Sequence, residues 1–148
     1  MTRGEKAKEY FKEGYNCSQA VCLAFSEELG LSEEVISKAV SAFGGGMGRM
    51  REVCGAVSGI VYVLSSTDGY SSPTANAEKA ELYKKTQALL NKFKEENGSI
   101  VCRELLSGVK TSEGTAPEAR TAEYYKKRPC AELVESAADI LDEYLKSK

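Results

Sequence analysis

The chain contains no histidine in its 148 residues. Without imidazole, the protein lacks the usual proton shuttle near neutral pH and the commonest metal ligand. Any metal site would therefore need cysteines, either alone or together with carboxylates. This absence directs attention to the five cysteines of the chain.

Strong charge of one sign and long apolar runs are also missing. Lys and Arg total 20 against 22 Asp and Glu, a net charge of −2, so we expect no nucleic acid partner. The apolar run at residues 60–64 is far too short for a membrane span, and residues 1–6 lack the apolar segment of a signal peptide. We therefore expect a cytoplasmic protein, in which cysteines are free thiols, metal ligands or catalytic groups rather than structural crosslinks.

Helical periodicity dominates the sequence and predicts an all-α fold, a compact multi-helix bundle formed by one domain over residues 1–148. The segment from about Met50 to Ser65 is apolar nearly all round, which favours a buried helix, although its β-branched part could form a strand. In the helix after Ser32, a core stripe is predicted at Val35, Ile36, Ala39, Val40 and Phe43. We expect six to eight helices. They lie at residues 5–14, after the Asn16 cap, after the Ser32 cap, at 50–65, up to Asn97 with Gly98 as its stop, from the Ser99 cap to Gly108, at 117–127, and from Cys130 to Tyr144 with Pro129 suited to the first position.

Three cysteines lie at or near predicted helix starts. Cys17 takes the first helical position after a capping box made by Asn16 and Gln19, and Cys102 and Cys130 lie near the starts of later helices. The N-terminus of a helix is electropositive, so it favours the reactive thiolate over the thiol. This placement favours a chemical role over simple packing.

The segment Cys54-Gly55-Ala56-Val57-Ser58-Gly59 is the most informative stretch. Gly55 and Gly59 lie four residues apart on one helix face, so another helix backbone can approach closely, and Cys54 projects toward the core. Cys22 is five residues from Cys17 and points about 140° away around the helix. We therefore interpret Cys22 as a packing residue.

A glycine-rich loop precedes this segment, with four glycines in residues 44–48. Its amides could face an anion, with Arg49 or Arg51 nearby. The alternative is a flexible connection between helices, because neither a phosphate-binding loop nor a dinucleotide motif matches. The candidate cofactor-binding residues are Gly45, Gly46, Gly48 and Arg49.

The cysteine pattern resembles that of the C_GCAxxG_C_C family, whose members are described as redox-active because of their cysteines. The family motif matches Cys54 to Gly59, its upstream cysteine matches Cys17, and its downstream cysteines match Cys102 and Cys130. The resemblance extends over roughly residues 7–141 and leaves Cys22 outside. It implies a small, mostly helical bacterial or archaeal protein, often encoded near transporter genes. Related domains attached to electron-transfer modules imply that the four sulfurs could instead hold an iron–sulfur cluster.

Three hypotheses follow from the residues. In thiol redox chemistry, one thiolate attacks a disulfide or other substrate and a second cysteine resolves the product; Cys54 is the first candidate for attack and Cys130 the second. Alternatively, Cys17, Cys54, Cys102 and Cys130 are the ligands of an iron–sulfur cluster or zinc ion. In the third hypothesis the cysteines only pack and the protein is a helical binding module.

Two further limits apply to these hypotheses. No Cys-x-x-Cys pair occurs, so a thioredoxin-like motif and a close-spaced zinc knuckle are both absent. Any site must therefore be assembled by the tertiary fold from distant segments. The redox partner or small-molecule substrate is not identified by the sequence, and the size of the chain leaves a homodimer open.

Overall fold

The computed structural model describes residues 1–148 and contains ten α-helices, one short 3-10 helix (Ser41–Phe43) and no β-strand. The all-α prediction is confirmed. The helix count exceeds the expected six to eight because two single-turn helices, α3 and α5, were not predicted. The helices are α1 (Arg3–Lys12), α2 (Cys17–Leu23), α3 (Ser26–Leu29), α4 (Glu33–Ala39), α5 (Gly44–Met47), α6 (Gly55–Asp68), α7 (Asn76–Asn97), α8 (Cys102–Leu105), α9 (Ala122–Lys127) and α10 (Cys130–Lys146).

Helix α6 lies at the centre of the fold, packed against α2, α7 and α10. Eight of its 14 residues are buried, which confirms the prediction of a buried helix rather than a strand. The helix starts at Gly55 instead of Met50, because Val53 pairs with Val101 in an isolated antiparallel β-bridge. This pairing holds the residues just before α6 in an extended conformation.

The two glycines of α6 allow α2 to approach closely, as the sequence predicted. A Cβ atom added at Gly59 would lie 2.8 Å from the Cβ of Val21, and one added at Gly55 would lie 3.1 Å from the Cβ of Cys17. The first distance is shorter than Cβ contacts in real proteins, so this helix spacing requires glycine at residue 59, and the second is tight enough that Cys17 would have to shift slightly. The contact fixes the start of α2, and with it Cys17, against the start of α6.

Most of the helix ends that we predicted from capping residues are confirmed. The Asn16–Gln19 capping box is present at α2, Ser32 caps α4, and Gly98, with φ of 95°, ends α7. The predicted cap at Ser99 is wrong, because Val101 precedes α8 and the Ser99 hydroxyl instead accepts a hydrogen bond from the amide of Val101 at 3.0 Å.

The other differences concern helix α4, helix α9 and the start of α10. Of the predicted α4 stripe, Ile36 and Val40 are buried, whereas Val35 is 49% exposed, so only part of the predicted stripe faces the core. Helix α9 begins at Ala122 rather than residue 117, after a cap by Thr121, and Pro129 is the residue before α10 rather than its first residue.

None of the ten helices is both long and apolar enough to cross a membrane.

Candidate active site: four cysteines around one cavity

Four cysteines lie at four helix starts. Cys17, Cys102 and Cys130 are the first residues of α2, α8 and α10, and Cys54 is the residue immediately before α6. The pattern that the sequence showed for three cysteines therefore extends to the fourth. Helix starts present unpaired amides, which stabilise negative charge on a nearby sulfur.

These four cysteines line one internal cavity of about 70 Å³, which we call the cysteine cavity. Cys54, Cys102 and Cys130 are buried and Cys17 is partly buried. Cys22 is not part of this group, because its thiol lies in the core, 3.8 Å from the carbonyl oxygen of Gly59. All five cysteines are free thiols. The fold therefore brings together the four predicted cysteines and separates them from Cys22.

Backbone pairing positions Cys54 and Cys102 on adjacent segments. The amide of Cys54 donates to the carbonyl of Ile100 at 2.8 Å, and the amide of Cys102 donates to the carbonyl of Glu52 at 2.6 Å. These two bonds flank the bridge between Val53 and Val101. The start of α8 is thereby fixed beside the start of α6.

The glycine-rich loop is a left-handed turn against this pair. All five residues from Gly45 to Arg49 have φ between 60° and 72°, and Arg51 has φ of 61°. Left-handed backbone costs a residue with a side chain about 1–2 kcal/mol, so Met47, Arg49 and Arg51 hold local strain. Strain of this kind persists only where the surrounding structure imposes it, and it clusters at functional sites.

The predicted cofactor-binding residues line two adjoining hollows. Gly46 lines the cysteine cavity, Gly48 and Arg49 line a neighbouring hollow, and Gly45 lines both. The Arg49 guanidinium donates to the carbonyl oxygens of Ser112 and Gly114, both at 3.0 Å. Arg49 therefore holds the loop before α9 and is directed away from the sulfurs. Its role in cofactor binding stays a prediction.

Cys17 and Cys130 line the same cavity, and each affects the pKa of the other. The Cys17 thiol, Arg128 and Arg120 together lower the pKa of Cys130 to about 7, although burial opposes the change. The Cys130 sulfur and burial together raise the pKa of Cys17 well above its usual range. We therefore assign the thiolate to Cys130 and the thiol to Cys17.

The other two sulfurs favour the protonated form. Burial raises the pKa of Cys54 to about 12, although the amides of Ala56 and Val57 act in the opposite direction. Burial also raises the pKa of Cys102, although the Arg51 guanidinium lies 4.0 Å from its sulfur. Cys130 is thus the one cysteine whose surroundings favour the thiolate.

Arginines supply the positive charge of the site. Arg51, Arg120 and Arg128 line the cysteine cavity, and no carboxylate does. The Arg120 guanidinium donates to the carbonyl oxygens of Phe11 at 2.8 Å and Tyr15 at 3.0 Å. The sequence reasoning missed Arg120, because it lies in a polar connecting segment with no motif around it.

Tyr124 lies between two of these guanidinium groups. Its ring centre is 5.1 Å from Arg120 and 4.9 Å from Arg128, distances at which cation–π attraction holds the partners together. Burial raises the pKa of Tyr124 above its usual range, so the ring remains neutral. The tyrosine therefore orients the guanidinium groups without adding charge.

The four sulfurs are soft donors of the kind that zinc and iron–sulfur clusters use. No group of three or more Cys, Asp or Glu side chains, however, is arranged to hold a metal ion. Arg51, Arg120 and Arg128 line the cysteine cavity together with the sulfurs, and no carboxylate does. A zinc or iron–sulfur site at these cysteines stays a prediction.

Comparison with known proteins gave one match. A family model described as "Putative redox-active protein (C_GCAxxG_C_C)" matches residues 15–144 of the chain, a range that contains all four cysteines of the cavity. No curated protein and no solved structure matches the chain.

Proposed function

The chain belongs to the C_GCAxxG_C_C family, and we propose that it is a thiol–disulfide oxidoreductase in which Cys130 attacks and Cys17 resolves. The observation that carries this proposal is the placement of Cys17 and Cys130 in one cavity with Arg128 and Arg120, where the pKa of Cys130 is lowered to about 7. The attacking group in disulfide exchange is the thiolate, and a thiol is most effective when its pKa lies near the ambient pH. Cys130 meets this requirement, whereas burial keeps Cys54 protonated.

The reaction consists of two exchange steps. The Cys130 thiolate attacks one sulfur of a substrate disulfide, so the substrate S–S bond breaks, a mixed disulfide forms on Cys130 and one substrate thiolate leaves. Cys17 then loses its proton and attacks the Cys130 sulfur, which forms the Cys17–Cys130 disulfide and releases the second substrate thiolate. Two electrons pass from the protein to the substrate, and the released thiolates take up two protons. An external dithiol returns the protein to its reduced form.

The arginines stabilise negative charge on Cys130 in both steps. Arg128 and Arg120 line the cysteine cavity together with Cys130, and both lower its pKa. A stabilised thiolate is the attacking group in the first step and a good leaving group when the protein disulfide is reduced again. Cys17, which retains its proton until the mixed disulfide forms, is suited to the resolving role.

Trapping the mixed disulfide tests the proposal. Reduced wild-type protein treated with bis(hydroxyethyl) disulfide is expected to lose two hydrogen atoms and to yield a peptide pair joined through Cys17 and Cys130. In Cys17→Ser, the mixed disulfide is expected to accumulate on Cys130, because the resolving thiol is missing. In Cys130→Ser, neither product is expected. Mass spectrometry of the intact and digested protein identifies each product.

Cys22→Ala is the matched control, because Cys22 is a buried cysteine outside the cysteine cavity. It is expected to form the same disulfide as the wild type, and circular dichroism checks that every variant is folded. Trapping on Cys54 instead of Cys130 would contradict the assignment. Stoichiometric iron with sulfide, or zinc, in protein purified without oxygen, and lost in all four serine variants, would replace this function with a metal site.

A third outcome would leave only a packing role for the cysteines. In that case no disulfide product forms in any variant, and each serine replacement lowers only the free energy of unfolding. Such a result would favour a helical binding module and would overturn the redox proposal.

A further inference from the structure

A second hollow adjoins the cysteine cavity, and we call it the vestibule. Its volume is about 310 Å³, and it shares six lining residues with the cysteine cavity. Only one of the 13 residues that line the vestibule is hydrophobic, and the others are polar residues, glycines and a proline. A molecule in the vestibule would therefore lie beside the sulfurs. The shared residues are Asn16, Gly45, Arg51, Arg120, Tyr124 and Arg128.

The vestibule carries positive charge in a chain whose net charge is −2. Four arginines line it, and Glu118 is the one carboxylate among its lining residues. Glu118 forms an ion pair with Arg128. Neither Arg51 nor Arg120 has a carboxylate within ion-pair distance. The local excess of positive charge is therefore not neutralised by the protein itself.

The two unpaired guanidinium groups differ in how they are held. Arg120 is fixed by the carbonyl oxygens of Phe11 and Tyr15 and lies over the Phe11 ring at 4.1 Å. Arg51 has a single hydrogen bond, to the Cys102 sulfur at 4.0 Å, so most of its five N–H donors are available. One fixed charge and one charge with free donors, both beside the thiols, form a site suited to an anion.

We infer that the substrate is a small disulfide that carries carboxylate groups, which bind Arg51 and Arg120 in the vestibule while the S–S bond reaches Cys130. This inference rests on the proposed function. The volume of the vestibule is at the lower end of the range for small-molecule sites, which favours a small substrate over a folded protein. The same charges raise the local concentration of an anionic substrate and its rate of association.

Three disulfides of similar size and different charge test the inference. Dithiodipropionate is anionic, bis(hydroxyethyl) disulfide is neutral and cystamine is cationic. The rate at which each oxidises the reduced protein is divided by its rate with mercaptoethanol at the same pH, which corrects for intrinsic reactivity. We expect the corrected rate for dithiodipropionate to exceed that for the neutral probe by about tenfold at low salt. We expect cystamine to be the slowest, and the differences to shrink at high salt.

Arg51→Gln removes the charge that has free donors, and we expect it to lose most of the preference for dithiodipropionate. Arg103→Gln is the matched control, because Arg103 is an exposed arginine paired with Glu52 at 2.9 Å and lies outside the vestibule. It is expected to keep the wild-type order of rates.

The outcomes separate this inference from the proposed function. Equal corrected rates for all three probes, with Cys130 still required, would overturn the carboxylate inference and leave the thiol exchange function intact. A preference for dithiodipropionate that survives in Arg51→Gln would overturn the assignment of Arg51. Failure of all three probes to oxidise the wild-type protein would overturn the proposed function and this inference together.

Discussion

Gly46 lies directly against Cys102: a Cβ atom added at Gly46 would stand 2.7 Å from the Cβ of Cys102 and 2.8 Å from the Cα of Arg51. The second of these contacts is with backbone, which cannot move aside. Gly46 also has φ of 72°, in the left-handed region. The position therefore requires glycine for two separate reasons, and through it the left-handed loop fixes one wall of the cysteine cavity.

Gly46→Ala is expected to destabilise the protein more than Gly48→Ala. Both residues have left-handed backbone, which costs alanine about 1–2 kcal/mol, but a Cβ atom at Gly48 meets nothing within 4 Å. The clash at Gly46 should add about 1–3 kcal/mol. Urea unfolding under reducing conditions measures the free energy of unfolding of both variants. Equal decreases in this free energy would show that Gly46 does not pack against Cys102.

Gly59→Ala is expected to lower the free energy of unfolding by about 1–3 kcal/mol, even though alanine favours a helix by about 1 kcal/mol over glycine. The reason is the close approach of Val21 on α2, whose Cγ1 would lie 3.0 Å from the new Cβ. Val21→Ala removes this Cγ1 atom but keeps the Cβ atom at 2.8 Å, so it relieves part of the clash. It should therefore lower the free energy of unfolding by less in the Gly59→Ala background than in the wild type, by at least about 0.5 kcal/mol. Urea unfolding measures the free energy of unfolding of the two single variants and the double variant. If the decreases of the single variants simply add in the double variant, this account of the contact between α2 and α6 is contradicted.

The pKa of Cys130 gives the stability a characteristic dependence on pH. In the folded protein this pKa is about 7, below the ordinary value of 9.0, so between these values the unfolded chain binds more protons than the folded one. Stability should therefore rise from about pH 7 to about pH 8. Above about pH 9 it should fall, because Cys17, Cys54 and Cys102 have raised pKa values and stay protonated only in the folded state.

The comparison with Cys130→Ser isolates this effect. The variant should lack the rise from about pH 7 to about pH 8 and keep the fall above about pH 9. Urea unfolding at a series of pH values, with a reductant present, measures both curves. The same rise in the variant and the wild type would mean that Cys130 is not its source.

Glu118→Gln is expected to destabilise the protein by about 3 kcal/mol, because it leaves the buried Arg128 charge without its carboxylate partner. Glutamine can still accept the hydrogen bond that the Ser112 amide donates to Glu118 at 2.9 Å. Glu123→Gln is the control: Glu123 forms an exposed ion pair with Lys127 at 2.7 Å, and such pairs contribute about 0–1 kcal/mol. Chemical unfolding gives the free energy of unfolding of both variants. Similar small decreases in the two variants would contradict the importance of the Glu118–Arg128 pair.

Much of the fold could be predicted because its signals are local in the sequence. Asn16 and Gln19 are three residues apart and form the capping box, and Gly98 directly follows the helix that it ends. The start of α6 could not be predicted in this way. It depends on the pairing of Val53 with Val101, residues far apart in the chain that no local pattern connects.

The candidate site could likewise be predicted only where its signals are local in the sequence. Predicted helix starts grouped Cys17, Cys102 and Cys130, whereas Cys54 was identified by the glycine-containing segment that follows it. The sequence could not show that Cys17 and Cys130 line one cavity, or that Arg120 reaches the carbonyl oxygens of Phe11 and Tyr15 more than 100 residues away. It ranked Cys54 before Cys130 because Arg49 and Arg51 are near Cys54 in the chain, yet in the fold Arg49 holds the loop before α9.

The pH dependence of alkylation at each cysteine tests the central claim most directly. Reduced protein is treated briefly with iodoacetamide over a range of pH, and peptide mass spectrometry gives the extent of modification at each sulfur. We expect Cys130 to be half-modified near pH 7 and Cys54 to react only under strongly alkaline conditions. In Arg128→Gln the midpoint of Cys130 should rise toward its ordinary value, and in Arg103→Gln it should not change. A wild-type Cys130 midpoint at or above pH 9, or Cys54 reacting at the lowest pH, would contradict the assignment of Cys130 as the attacking thiolate.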